Sequence, residues 1–313
     1  MIDGEQATPE FSRQFSSFSG SRSDAPESGF LDLEGKRTTF QPFSDVPWPK
    51  VSVIIPTLNE ARNLPHVFSK LPPALHEIII VDGHSVDDTI ATARRLRPDV
   101  RIVKQSRSGK GNALACGFAA ATGDIIAMVD ADGSADPAEI PRFVRALLDG
   151  ADFAKGTRFA AGGGSSDLTR LRRAGNRMLS GLVNLLCGTR YSDLCYGYNA
   201  FWRRHVPVLG LDAESPIPTD GTRFWGDGFE VETLINIRIA QAGLDVTEVA
   251  SYEHPRIHGV SNLNAFSDGW RVLRTILVER YYHSRRQEAL TEDDSMAQPS
   301  SRRSVRELVS RSQ

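Results

Sequence analysis

Nowhere do the 313 residues contain an apolar run near the ~20 needed to cross a bilayer. The longest, EIIIVD from Glu77 to Asp82 and DIIAMVD from Asp124 to Asp130, are strand-sized. The N-terminus also lacks a charged-then-apolar leader, so the sequence predicts a cytoplasmic protein, with any membrane contact peripheral and on the inner face. Charge of one sign is missing too: 37 Lys and Arg face 39 Asp and Glu, which removes the basic field of a nucleic-acid binder. Cysteine is scarce, with Cys116, Cys187 and Cys195 at spacings that fit no zinc knuckle. They read as small apolar fillers in a reducing interior. Also absent is G-x-G-x-x-G after the first strand, which a dehydrogenase fold needs for its backbone to approach a pyrophosphate.

What is present is alternation. Residues 1–49 are rich in Ser, Gly, Phe, Asp and Glu without apolar period, and read as a disordered arm. Residues 284–313 read as a polar tail, disordered or partly helical. Between them, over 50–283, short apolar strands beginning at Val51, Glu77, Val100 and Ile125 alternate with helices near 60–71, 87–97 and 111–121. Such alternation predicts a single α/β domain, a Rossmann-like, mostly parallel sheet flanked by helices. Ligands of such sheets bind at the carboxyl ends of the strands. There the sequence places Asn59 and Glu60, Asp82, and the pair Asp130 and Asp132.

Asp130 and Asp132 follow a buried strand and project to one side of it. Two carboxylates so close repel unless a cation lies between them. A hard ion, Mg²⁺ or Mn²⁺, takes such oxygen ligands and bridges to phosphate. Gly133 is in the wrong place for an EF-hand loop, which leaves a solvated Asp/Gly turn as the competing reading.

Five blocks, SVIIPTLNEARNL after Val51, IVDGHSVDDT from Ile80, GKGNAL from Gly109, TGDIIAMVDADGS from Thr122 and KGTRF from Lys155, resemble glycosyltransferase family 2. Their order and spacing are closest to the dolichol-phosphate mannose synthase-like branch. The resemblance implies a GT-A fold with acceptor-side helices toward the C-terminus. It also implies inverting transfer of a hexose from a nucleotide-diphosphate donor (GDP-mannose or UDP-glucose type) to a polyprenyl phosphate. By the same resemblance Pro56, Asn59 and Glu60 line the nucleoside pocket and Asp82 contacts the base. Asp130 lies toward ribose and metal, Asp132 binds the metal, and Lys110 and Arg158 meet phosphate. Two positions depart from the family pattern: Gly83 stands where a second acid is frequent, and Ser134 where the lipid-phosphate branch often has Gln.

In the second half, Asp193 reads either as a sugar ligand or as a turn cap. Asp227 reads as the base for a hydroxyl acceptor or, with Glu230, as a helix cap. The segment from Tyr252 to Asn264 resembles the family's terminal segment, in which a basic residue approaches the diphosphate, and the resemblance makes Arg256, His258 and Ser261 the candidates. The segment RLRRAGNRMLSGLVNLLCG from Arg170 reads as a core helix with a basic end, or as an interfacial helix whose Arg170, Arg172, Arg173 and Arg177 meet anionic headgroups. Three rival functions stay open: transfer to a soluble or saccharide hydroxyl, sugar-1-phosphate nucleotidyl transfer, and non-catalytic binding of a sugar nucleotide. The segment PTLNEARN lacks the Gly-rich, basic loop that nucleotidyltransferases carry after the first strand.

Overall fold

The structure, a computed structural model, describes residues 30–31, 37–38, 48–217, 224–259 and 265–297, with side chains over 48–217, 224–259 and 268–284. Most of the expected N-terminal arm, the end of the tail and Ser261 lie outside the described residues. Within 1–48, β1 (Phe30–Leu31) and β2 (Arg37–Thr38) form a short antiparallel pair. The second unit, 49–313, carries everything that follows.

Its sheet is built from the apolar runs. β3 (Val51–Thr57), β4 (Glu77–Asp82), β5 (Arg101–Lys104) and β6 (Ile125–Met128) alternate with α1 (Leu64–Lys70), α2 (Thr89–Leu96) and α3 (Lys110–Ala120). After α4 (Ile140–Leu148) come β7 (Phe153–Thr157), the short β8 (Gly164–Ser165), α5 (Arg170–Cys187) and β9 (Asn199–Trp202). The chain continues through α6 (Val206–Leu209), α7 (Val231–Gln241), β10 (Val246–Ala250), β11 (Tyr252–Glu253) and α8 (Ala265–Ala297). The seven-stranded sheet has the order β10-β7-β9-β6-β3-β4-β5. All neighbours are parallel except β9, which runs antiparallel to both β6 and β7. The sheet is thus mostly parallel, as expected, with one reversed strand inside it. Helix α8 runs through Ala297, past the expected tail boundary at 284.

The strand period of two divides the core. Val51, Val53 and Ile55 of β3 pack with Leu64 and Val67 of α1 and with Phe143 and Val144 of α4. Ile54 faces the opposite layer, with Leu114 and Phe118 of α3 and Val231 and Ile235 of α7. A third cluster joins α5, α7 and α8 through Leu179, Val183, Ile237 and Ile276. No helix among the described residues is long and apolar enough to cross a membrane.

One carboxylate ties the strands together on the side away from the site. Glu77 accepts hydrogen bonds from the hydroxyl of Ser52 (2.6 Å) and from the N–H (2.7 Å) and hydroxyl (2.8 Å) of Thr122, and Arg101 lies at 3.3 Å. Burial works to raise the Glu77 pKa, but these donors outweigh it and hold it down at about 2. A depressed folded value means that the stabilisation is complete above the unfolded value near 4.5 and is lost as pH falls toward 2. Glu77→Gln is therefore expected to cost roughly 1–3 kcal/mol at neutral pH. Urea melts of parent and variant should converge between about pH 4.5 and 2. A gap that does not narrow with acid means that the carboxylate's charge is not what holds the strands.

Candidate active site

The carboxyl ends of β3, β4 and β6 open on one rim. Beyond the last β3–β6 pair, Ile54 with Met128, the chain turns through Pro56 and Asn59. A residue without an N–H is tolerated where the ladder is ending. Asn59 has a left-handed backbone (φ 59°), and its side-chain oxygen accepts from the Val86 N–H at 2.8 Å. The Glu60 N–H donates to Thr89 Oγ1 at 2.8 Å. These bonds lock the turn that presents Glu60. At the end of β4, Asp82 is buried and caps its own turn by accepting the Ser85 N–H at 3.2 Å.

Glu60, Asp130 and Asp132 come together with two cations between them. Arg256 bridges Asp132 Oδ2 (3.0 Å) and Glu60 Oε1 (3.4 Å). Lys110 bridges Asp130 Oδ1 (2.7 Å) and Glu232 Oε1 (2.5 Å). Burial raises the Glu60 pKa above the usual carboxylate range, Asp132 and Asp130 push the same way, and Asn63 and Arg256 offset this in part. Burial opposes the charge on Lys110, yet Asp130 and Glu232 outweigh it and hold the ammonium above its ordinary pKa.

Backbone contacts position both cations. The Gly111 N–H donates to the Asp227 carbonyl at 2.8 Å, so the start of α3 lies directly on the loop before α7. A Cβ at Gly111 would stand 1.7 Å from the Gly226 carbonyl oxygen, and one at Gly109 2.1 Å from that of Asp227. Only glycines allow this approach, which sets Lys110 between Asp130 and Glu232. Arg256 rides on a strap laid across the acidic turn. The Ile257 N–H donates to the Asp132 carbonyl at 3.2 Å and the His254 N–H to the Ser134 carbonyl at 2.8 Å. His258 belongs to the same strap, and its carbonyl accepts from Asn63 Nδ2 at 3.2 Å.

Three candidates lie elsewhere. Asp193 is fully buried, with both oxygens taken by Arg158: Nε at 2.7 Å and Nη2 at 2.9 Å. Arg158 also binds Glu253 at 2.9 Å. Burial opposes its charge, and Asp193 and Glu253 outweigh that and raise its pKa. The expectation has Asp193 touch the sugar and Arg158 the phosphate; in this structure the two pair with each other, and Arg158 also with Glu253. Asp227 is likewise closed off. Its two oxygens receive Arg107 Nε (2.7 Å) and Nη2 (2.8 Å), and both side chains are buried. A carboxylate held on both oxygens by a guanidinium is a weak proton acceptor, so this pairing stands against the expected role as base. Glu230 accepts from the Gly226 and Gly228 N–H groups of the preceding loop, and its side chain caps no N–H of α7.

The acidic residue that sequence reasoning missed is Glu232, in the first turn of α7. Gly197 leaves room for it, since a Cβ there would stand 2.3 Å from Glu232 Oε1, a contact that nothing in the sequence signals. Among the described residues no group of three or more His, Cys, Asp or Glu forms a ready metal cage. Asp130 and Asp132 still fit a Mg²⁺- or Mn²⁺-type site. Such ions are commonly held by one or two carboxylates, with substrate phosphates and water completing the shell.

The sequence model of glycosyl transferase family 2 matches residues 52–208. Over 228 residues the chain is 30% identical to Glycosyltransferase AglJ of Haloferax volcanii, covering 70% of this chain and 68% of that protein. It is 31% identical over 229 residues to the Polyprenol monophosphomannose synthase of Mycolicibacterium smegmatis, covering 70% and 82%. Among solved structures, glucosyl-3-phosphoglycerate synthase from Mycobacterium tuberculosis, in complex with phosphoglyceric acid, shares the fold with a TM-score of 0.56 and 24% identity over 74% of this chain and 80% of that one. With the acidic rim, the reversed strand within a parallel sheet and these matches together, the chain belongs to glycosyltransferase family 2 and is a glycosyltransferase.

Proposed function

We propose that this enzyme moves a hexose from a nucleotide-diphosphate donor, of the GDP-mannose or UDP-glucose type, to a polyprenyl phosphate, with inversion. The observation that carries this reading is the convergence of Glu60, Asp130 and Asp132 on Arg256 and Lys110 at the rim of the sheet. The relative named polyprenol monophosphomannose synthase supports the acceptor class.

Asp130 and Asp132 would hold the divalent ion, which when bound offsets charge on the departing diphosphate. Arg256 exchanges its carboxylate partners for phosphate oxygens, and Lys110 supplies fixed positive charge beside Asp130. Pro56, Asn59 and Asp82 shape the nucleoside pocket, Asn59 and Asp82 through the turns that they lock. Arg158 with Asp193, and Arg107 with Asp227, keep the walls in place without touching the donor. An anionic phosphate acceptor needs no base, so the in-line displacement depends on alignment and on stabilising the leaving group. A hydroxyl acceptor is the second reading. Glu232 favours it, as a partly exposed carboxylate beside Lys110 that is free of a guanidinium clamp.

Calorimetry across GDP- and UDP-sugars, with Mn²⁺ and again with chelator, tests the donor. One nucleotide class is expected to bind, with affinity lost on chelation. Failure of every nucleotide sugar to bind, or pyrophosphate release from sugar 1-phosphate and a nucleoside triphosphate, would overturn the assignment.

A further inference from the structure

Helix α5 is built inside out. Its buried side carries Asn176, Leu179, Ser180 and Val183, and the polar members hold the following loop. Asn176 Oδ1 accepts the Cys195 N–H at 3.0 Å and Ser180 Oγ the Leu194 N–H at 3.0 Å. At 100° per residue, the line opposite that side runs Leu171, Ala174, Met178, Gly181, Leu185. All five are exposed, Leu171 at 57%, Met178 at 68% and Leu185 at 81%. From Leu171 to Leu185 the line covers 15 residues, about 21 Å of helix, without one polar side chain. An outermost line on a surface helix is ordinarily polar, and an unbroken apolar one marks a contact surface. Of the two readings that the sequence leaves open, a core helix would bury the Leu and Met of this line, and of Leu171, Met178, Leu182 and Leu185 only Leu182 joins the core.

The flank of this line says what covers it. Arg170, Arg173 and Arg177 are exposed along one edge, and no carboxylate lies within ion-pair distance of them among the described residues. The helix itself contains no Asp or Glu. A second copy docked through the same face by a two-fold axis would bring arginines toward arginines with nothing to neutralise them. An anionic lipid surface meets both demands, since the apolar line enters the acyl boundary while the arginine heads stay among the phosphates. The whole chain carries a net charge of −2, so attraction to such a surface must come from this local patch.

We propose that the outward face of α5 seats the enzyme in the plane of an anionic phospholipid membrane. The proposal rests on the reading of a lipid-borne acceptor and names the surface by which the enzyme reaches it. The test is flotation of the full chain with vesicles of phosphatidylcholine alone, or mixed with phosphatidylglycerol, in about 0.1 M salt. The protein is expected to float with the anionic vesicles only. Replacing Arg170, Arg173 and Arg177 together by Gln should weaken partitioning roughly a hundredfold, at about fivefold per cation, and remove its salt dependence. The pair Met178→Glu and Leu185→Glu should weaken it at least about tenfold. Both variants should melt with the parent and bind nucleotide sugar as it does, which separates lost docking from lost folding. Parent protein that stays unbound, or variants that float as well as the parent, overturns the proposal. So does a parent dimer, seen by light scattering, that the glutamate pair dissolves while flotation is unchanged. Donor binding without flotation sinks only this docking, whereas absent donor binding sinks the functional reading itself.

Discussion

Asp132→Asn is expected to leave a folded protein whose sugar transfer falls by about 10²–10³-fold or more. The substitution keeps the size of the side chain and removes its charge. Oδ1 of Asp132 accepts the Ser134 N–H at 2.9 Å, which an amide oxygen can also do, so the turn should keep its shape. What disappears is the anion facing Arg256 at 3.0 Å. Arg256 retains Glu60, and the cluster of carboxylates loses one mutually repelling member, so the stability change should stay within about 1 kcal/mol. The arginine is about a third exposed, which further limits what its pairing contributes. Two measurements decide the matter. Thermal melting should match the parent, and Mn²⁺ affinity in the presence of nucleoside diphosphate should drop together with turnover. Full activity in the variant would remove Asp132 from any role with metal or phosphate. Unchanged Mn²⁺ affinity with lost activity would move it from metal ligand to phosphate-side electrostatics.

Much of this architecture was legible in the sequence because buried parallel strands need continuous apolar runs. Glu77–Asp82 and Ile125–Met128 emerge as strands with little shift of boundary, and the polar residues just beyond them gather on one rim. Strand β9 was not legible. Asn199–Trp202 is four residues long, and its antiparallel pairing with β6 and β7 is set by partners far away in sequence. The inward face of α5 was left undecided between two readings for a related reason. Periodicity located a coherent line of Leu and Met, but it cannot say which side of a helix meets the protein when the opposite side is held by hydrogen bonds from Asn176 and Ser180. The limits were sharpest for charge. Asp193 and Asp227 have the composition of site residues, and local sequence does not reveal that Arg158 and Arg107 enclose them. Arg107 is 120 positions from Asp227, within a segment, QSRS, that offers no pattern of its own. Glu232 was passed over because the same short stretch supplied a more conspicuous acid, Asp227, between two glycines.

The Arg107–Asp227 pair supplies the other large effect, on stability rather than turnover. Both side chains are nearly sealed, 4% and 7% exposed, and the guanidinium also donates to the carbonyls of Asp212 (2.6 Å) and Ser215 (2.8 Å). Its remaining face lies over the Phe224 ring at 4.6 Å. Hydrogen bonding to Asp227 raises the Arg107 pKa further, and a guanidinium is basic enough to stay charged even when that partner is removed. Asp227→Ala therefore leaves the buried guanidinium with only the more distant Asp212 carboxylate, at 3.9 Å, and is expected to cost about 2–4 kcal/mol, a melting shift on the order of 10 °C. Combining it with Arg107→Met should restore part of that loss, because the double variant buries no unpaired ion. The loop that carries Asp227 also receives the Gly111 N–H and so sets Lys110, so turnover should fall along with stability. A catalytic base behaves in the opposite way: its replacement by Asn abolishes turnover while the melting temperature holds. Chemical denaturation of Asp227→Ala, Asp227→Asn and the double variant, beside turnover measured well below each transition, distinguishes the two roles. An Asp227→Asn protein as stable as the parent but inactive would return Asp227 to the chemistry and leave Arg107 as its positioning residue.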